Sequence, residues 1–192
     1  MKPRAAALAL AVVALTLAPA PAPAAALVLN ERLKQEAIRA GQKSVTVEVF
    51  DAEWRLSNGA GESVTVFTAF HRVALAARHA AFKNEPLKPG EPDRILKEQG
   101  GRLLLWAYLK GSREDFARYY VPRLFVGDRE IEPSFVQNER TALRENDKGY
   151  VARCVYGFPT KELTGSSRVV LAVRNPDGKD VSRFTIDLST MR

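Results

Sequence analysis

The chain has 192 residues, a formal net charge of +7 and a single cysteine. This length is sufficient to bury one hydrophobic core without cross-links, and one cysteine excludes an internal disulfide framework. Basic residues are interspersed with acidic ones, so the net charge indicates only a mild attraction to polyanions. We expect no specific nucleic-acid binding.

The N-terminal residues have the pattern of a secretory signal peptide. Lys2 and Arg4 precede an apolar run from Ala5 to Leu17, and alternating alanine and proline residues continue toward Ala26. The small residues predict cleavage after Ala24 or Ala26. The first 26 residues are therefore expected to direct the chain to the periplasm or to secretion.

The apolar run of this signal is short. A membrane-spanning helix needs roughly 20 apolar residues, whereas prolines interrupt this stretch from Pro19 onward. We therefore expect no transmembrane segment in the chain that remains after cleavage.

A short helix is predicted next. Asn30 can cap it, Leu33, Ala37 and Ile38 form an apolar stripe, and Gly41 follows its end. Residues 27–43 are assigned to this helix or linker, and residues 44–192 to one β-sandwich domain.

The domain is predicted to begin with a strand from Ser44 to Phe50, in which Val45, Val47 and Val49 share one face. The alternation slips near Asp51, which indicates a bend. A turn over residues 57–61 then leads into a second strand, so this region is interpreted as a hairpin.

The pattern then changes from strand to helix. The alanine-rich stretch from Ala69 to Lys83 predicts one helix, and Pro92 to Gln99 predicts a shorter one after a proline-rich loop. These two helices form a predicted helical insertion over about residues 69–99.

Leu103 to Leu109 is the most apolar short run of the domain and contains Trp106. Glycines bound it at both ends, which is typical of a strand buried on both faces. We expect it to be the central strand, with Trp106 in the core.

The C-terminal third is predicted to contain three further strands. Cys154 falls on the apolar face of the strand from Tyr150 to Phe158, which predicts a buried thiol. A turn over residues 175–178 joins Val169–Val173 to an alternating strand around Ile186. Together these elements predict a mainly β fold, an antiparallel immunoglobulin-like β-sandwich with a helical insertion and a short N-terminal helix.

No motif of known catalytic, cofactor or metal chemistry is present. The only metal-ligating candidates besides carboxylates are His71, His79 and Cys154, and the histidines are interpreted as surface or helix-terminal residues. Gly165-Ser166-Ser167 lacks the spacing of a nucleophile elbow. We predict neither a cofactor nor a metal site.

One stretch alternates basic and aromatic side chains, which can contact a polyanion, a glycan or a protein surface. Alternatively, Phe116 and Tyr120 belong to the core and the arginine stems cover them. The candidate partner-binding residues are Arg113, Arg118, Tyr119 and Arg123.

These features favour an exported, non-enzymatic binding or accessory module that contacts a protein or glycan partner in the envelope or outside the cell. One alternative is an enzyme acting on an envelope polymer, which would need a pocket with convergent titratable groups. Another is a polyanion binder whose affinity falls with added salt.

Overall fold

The computed structural model of the protein describes residues 24–145 and 149–192. Of the predicted signal peptide, residues 1–23 lie outside the described residues. The described chain is mainly β, with two antiparallel sheets and three α-helices. Among these residues, no helix combines the length and the apolar character needed to cross a bilayer.

The helices lie close to their predicted positions. Helix α1 (Glu31–Lys43) is capped by the Asn30 side chain, which accepts a hydrogen bond from the backbone N–H of Leu33. Thr68 caps α2 (Ala69–Phe82) in the same way. With α3 (Glu91–Gln99), α2 forms the predicted insertion over residues 69–99.

The first sheet has six strands, in the order β1, β2, β3, β8, β6, with β7 pairing beside the other end of β8. A turn at residues 58–62 joins β1 to β2, so a hairpin is present at the predicted turn, but its first strand begins only at Arg55. The strands are β1 (Arg55–Ser57), β2 (Ser63–Phe67), β3 (Arg102–Gly111), β6 (Phe135–Gln137), β7 (Leu143–Arg144) and β8 (Tyr150–Pro159).

The second sheet has four strands, in the order β10, β9, β4, β5. The predicted C-terminal hairpin is confirmed as β9 and β10. Pro122 pairs with Val173 of β9 at the end of β4 that β5 does not reach, so its missing N–H interrupts no ladder on that side. The strands are β4 (Val121–Val126), β5 (Arg129–Ile131), β9 (Arg168–Arg174) and β10 (Asp180–Asp187).

The core lies between the two sheets. Leu105 of β3 and Tyr156 of β8 are paired and fully buried, and Leu171 of β9 belongs to the same hydrophobic cluster. Cys154 lies on this inner face and is buried, as its strand pattern predicts.

Trp106 does not lie in this core, contrary to the prediction. Along β3, Leu103, Leu105, Ala107 and Leu109 are buried, whereas the residues between them are only half-buried. The strand is central in its sheet but is fully covered on one face only. Trp106 points to the other face, which is open to solvent along part of its length.

The predicted strand from Ser44 to Phe50 is also wrong. Ser44 ends α1 by donating its hydroxyl hydrogen to the Gly41 carbonyl, and the chain continues through turns. Val47 and Val49 are exposed. The predicted bend near Asp51 is present as a 3-10 turn over Ala52–Trp54.

Gly41 controls how closely α1 approaches α2. A Cβ atom at this position would stand 2.1 Å from the backbone oxygen of Ala74 and 3.0 Å from the Cβ of Ala77. Because a backbone atom cannot be moved cheaply, only glycine permits this contact.

We therefore expect Gly41→Ala to lower the free energy of unfolding by about 1–3 kcal/mol, although alanine is intrinsically the better helix former. Urea unfolding measures the change. Gln42→Ala, at an exposed position of the same helix, should change stability by less than about 0.5 kcal/mol. A Gly41→Ala protein more stable than the wild type would contradict the close packing of α1 on α2.

Candidate functional site

A groove of about 430 Å³ lies between α2 and the outer face of the first sheet. We call it the aromatic groove because five aromatic side chains line it. Its walls are the outer face of β2 and β3 on one side, and α2 with residues 48–51 on the other. The aromatic residues are Phe50, Phe67, Phe82, Trp106 and Tyr108.

A wider depression of about 610 Å³ lies between α2 and residues 85–91. Charged and proline side chains make up most of its lining, including Lys83, Lys88 and Arg94. Binding sites are more often lined by apolar and aromatic groups with a few polar ones. The aromatic groove has that composition, so we take it as the candidate site.

The sheet wall of the groove follows from strand alternation. Thr65 pairs with Trp106 across β2 and β3, so both side chains point to the outer face. The rings of Phe67 and Trp106 lie 4.8 Å apart. The guanidinium of Arg153, on the neighbouring strand β8, lies 5.4 Å from the centre of the Trp106 ring.

Arg78 fixes the opposite wall. Its guanidinium donates a hydrogen bond of 2.8 Å to the carbonyl of Val47 and lies 4.9 Å from the centre of the Phe50 ring. Residues 44–50 are thus held beside α2 instead of pairing with a strand. Phe82 ends the wall with a ring that is 75% exposed.

His71 forms the floor of the groove. Its side chain is 1% exposed, lies parallel to the Trp54 ring at 4.2 Å and stacks on Phe67 at 4.7 Å. Nδ1–H donates to the Val66 carbonyl at 3.1 Å. Burial lowers the pKa of His71 to about 4, against a smaller opposing effect of that hydrogen bond. His71 is therefore neutral at pH 7.

Of the two alternatives for the histidines, surface or helix-terminal, His71 meets the second and not the first. It does lie in the first turn of α2, but it is buried. The predicted start of the helix after Thr68 places His71 in the first helical turn. Its stacking on Trp54 depends on a contact between residues 17 positions apart, which a local pattern does not indicate.

The rim of the groove carries both signs of charge. Glu48 and Asp51 contribute carboxylates, and Arg78 and His79 contribute donors on the helix side. Asp51 lies 3.9 Å from Arg55, a long ion pair at the surface. The groove can therefore accept and donate hydrogen bonds around an apolar interior.

The candidate patch of basic and aromatic residues is brought together only in part. Arg118 lies over the exposed ring of Tyr119 at 5.4 Å. Arg123 is engaged by two carboxylates, at 3.1 Å from Glu130 and 3.2 Å from Glu132. Its charge is thus partly neutralised, while Arg118 and Tyr119 stay accessible.

Of the other residues of the patch, one lies at the surface and two pack against the edge of the core. Arg113 is exposed beside Asp115, at 3.5 Å. Phe116 and Tyr120 are half-buried, pack against the core and meet edge to face at 5.7 Å. Partner binding by Arg113, Arg118, Tyr119 and Arg123 stays a prediction.

In the described part of the chain, no three His, Cys, Asp or Glu side chains come close enough to hold a metal ion. Cys154 lies between the sheets, and burial raises the pKa of its thiol.

Comparison with known proteins identifies no relative of established function. No protein family matches the chain, and no curated protein matches it. Among solved structures, it is similar to a protein of unknown function from Burkholderia pseudomallei, with a TM-score of 0.42 and 10% identity over 85% of this chain and 92% of that one. A similarity of this extent carries no argument about function.

The low pKa of His71 predicts a stability that depends on pH. Above the unfolded value of 6.5 both states are neutral, so His71 contributes no pH dependence there. As the pH falls from 6.5 to 4, only the unfolded chain takes up the proton, and the free energy of unfolding should decrease by about 3 kcal/mol.

Urea unfolding at pH values between 4 and 8 measures this decrease. His71→Phe keeps an aromatic ring but removes the titrating group, so it should flatten this part of the profile. Gln42→Ala, at an exposed position with no titrating side chain, should leave the shape of the profile unchanged. A wild-type profile that is flat over the same range would contradict the assignment.

Proposed function

We propose that the protein is an exported, non-enzymatic binding or accessory module that holds a saccharide unit of an envelope or extracellular glycan in the aromatic groove. The observation that carries this proposal is the groove itself, in which five aromatic side chains line a space with carboxylates and basic groups at its rim.

The dimensions of the groove suit a small ligand. Its volume of about 430 Å³ lies within the range of about 300–1,000 Å³ that is usual for ligand pockets. A pyranose ring has an apolar face of C–H groups and an edge of hydroxyl groups. The aromatic side chains that line the groove can contact the first, and the polar groups of the rim can contact the second.

The strand pairing favours a glycan over an extended peptide. A peptide that adds to a sheet needs a strand with free main-chain groups. The groove lies against β2 and β3, and each of these pairs with a neighbour on both sides. Recognition there depends on side chains, which is how a saccharide is bound.

The rim supplies the polar partners that a sugar requires. Glu48 and Asp51 can accept hydrogen bonds from hydroxyl groups, and His79 can donate or accept one. Arg78 is already engaged by Val47 and Phe50, so it serves the groove by holding its wall.

The chemistry of His71 supports binding over acid–base catalysis. A pKa of about 4 makes the imidazole a weak proton acceptor at neutral pH. Its Nδ1–H is committed to Val66, and its ring to Trp54 and Phe67. This histidine therefore supports the shape of the groove.

Two further parts of the proposal concern export and architecture. The charged and apolar pattern of the first 26 residues supports secretion to the periplasm or beyond. An immunoglobulin-like sandwich is supported by the chain crossing between the sheets from β3 to β4, from β5 to β6 and from β8 to β9.

Binding can be followed through tryptophan fluorescence. The chain has two tryptophans, and Trp54 is 1% exposed, so a ligand in the groove should chiefly affect Trp106. The probes are the linear tetrasaccharides of glucose and of N-acetylglucosamine. We expect at least one to bind, and Trp106→Ala to weaken it at least tenfold by calorimetry, because a stacking surface is lost.

Phe135→Ala is the matched control. Phe135 lies on the same sheet face at the edge strand β6, outside the groove, and should leave the affinity unchanged. If neither tetrasaccharide binds, the glycan proposal fails. If binding survives Trp106→Ala but is lost in Arg118→Glu, the patch around Tyr119 is the binding surface instead.

A further inference from the structure

The segment that follows the predicted cleavage region is built into the domain. Ala25 is 5% exposed, and its backbone nitrogen donates hydrogen bonds to the carbonyls of Gly165, at 2.9 Å, and Leu188, at 3.0 Å. Leu29 is also buried, and Ala26 and Leu27 pack against the core. The domain therefore holds this segment from Ala25 onward.

Gly165 has no side chain, and this leaves room for the backbone of Ala25. A Cβ atom at residue 165 would stand 2.5 Å from the carbonyl oxygen of Ala25 and 3.3 Å from its nitrogen. Any larger residue would push the segment away. The turn that follows Leu163 thus has a backbone that fits this neighbour closely.

The hydrogen bonding suits a free chain end at Ala25. A peptide nitrogen has one hydrogen, which here is shared between two carbonyl oxygens, whereas an α-ammonium has three. An ammonium could donate a full hydrogen bond to Gly165 and another to Leu188. Charged donors also make the stronger hydrogen bonds to carbonyl oxygens.

The two predicted cleavage positions differ in whether Ala25 stays in the mature protein. Cleavage after Ala26 would remove Ala25 and both of its hydrogen bonds. Cleavage after Ala24 keeps them and places small residues, Ala24 and Ala22, at the first and third positions before the cut.

We infer that a signal peptidase cuts between Ala24 and Ala25, and that the new α-ammonium of Ala25 docks on the carbonyls of Gly165 and Leu188. Water hydrolyses the peptide bond between Ala24 and Ala25. The released signal peptide ends in the carboxylate of Ala24, and the mature chain begins with the amine of Ala25. That amine takes up a proton at neutral pH, because its ordinary pKa is about 7.7–8.0. This inference rests on the export that the proposed function includes.

The first experiment identifies the mature terminus. The full chain is expressed with its own leader in a bacterial host, and the exported protein is analysed by N-terminal sequencing and intact mass. We expect a single species beginning at Ala25. A chain beginning at Leu27 would overturn the inference but leave the proposed export intact. An unprocessed chain retained in the cytoplasm would overturn both.

The second experiment tests the docking itself. In the same exported protein, Gly165→Ala should lower the melting temperature by at least about 4 °C, because the new methyl group meets the Ala25 carbonyl. Gly59→Ala is the control, since a Cβ atom there would meet nothing within 4 Å. Equal melting temperatures for Gly165→Ala and the wild type would overturn the docking.

A measurement on the wild type covers the case in which Gly165→Ala does not fold. Mild acylation at pH 7 labels an accessible α-amine, and the rates in buffer and in urea are compared by mass spectrometry of the N-terminal peptide. A docked ammonium should react at least tenfold more slowly in the folded protein. Equal rates, after correction for the effect of urea on a model peptide, would overturn the docking.

Discussion

The pairing of β3 with β8 is the constraint on which both the core and the groove depend. Ten residue pairs run from Arg102 with Pro159 to Gly111 with Tyr150 without a break in register. Because side chains alternate along each strand, this register places Leu105 and Tyr156 between the sheets and Trp106 on the outside. A slip of one residue would exchange the two sets. The same strand register therefore determines both which residues form the core and which residues line the aromatic groove.

The second wall of the groove is positioned by the start of α2. The helix begins two residues after Phe67, the last residue of a strand that belongs to the same sheet. This short connection brings His71 onto Phe67 and Trp54, and Arg78 reaches the Val47 carbonyl about two turns later. The walls are thus held by contacts within the protein. Ordering the walls would therefore reduce the binding free energy of a ligand only slightly.

Local patterns predicted most elements of the fold. The alanine-rich run of α2, the apolar run of β3 and the turn at Pro176 each carry a signal within a few residues, and all three elements are present. The predictions that failed depend on distant partners. The alternation of Val45, Val47 and Val49 is typical of a strand, but no strand among the described residues pairs with it, and Arg78 donates to the Val47 carbonyl instead.

The candidate site was harder to predict for the same reason. The run around Trp106 is apolar at every position, so it does not reveal which face the second sheet covers. The burial of His71 depends on Trp54, and the neutralisation of Arg123 depends on Glu130 of β5 and on Glu132, which follows that strand. The sequence did predict that Cys154 faces inward, because the polar Arg153 beside it marks the opposite face.

If the protein is exported as proposed, the position of Cys154 has a consequence for its oxidation. It is the only thiol of the chain, and it is sealed between the sheets. An oxidising compartment can therefore act on it only in copies whose sheets have separated. Two such copies could form an intermolecular disulfide, whereas folded copies would keep a reduced thiol. The ratio of free to disulfide-linked chains would then measure how often the two sheets separate.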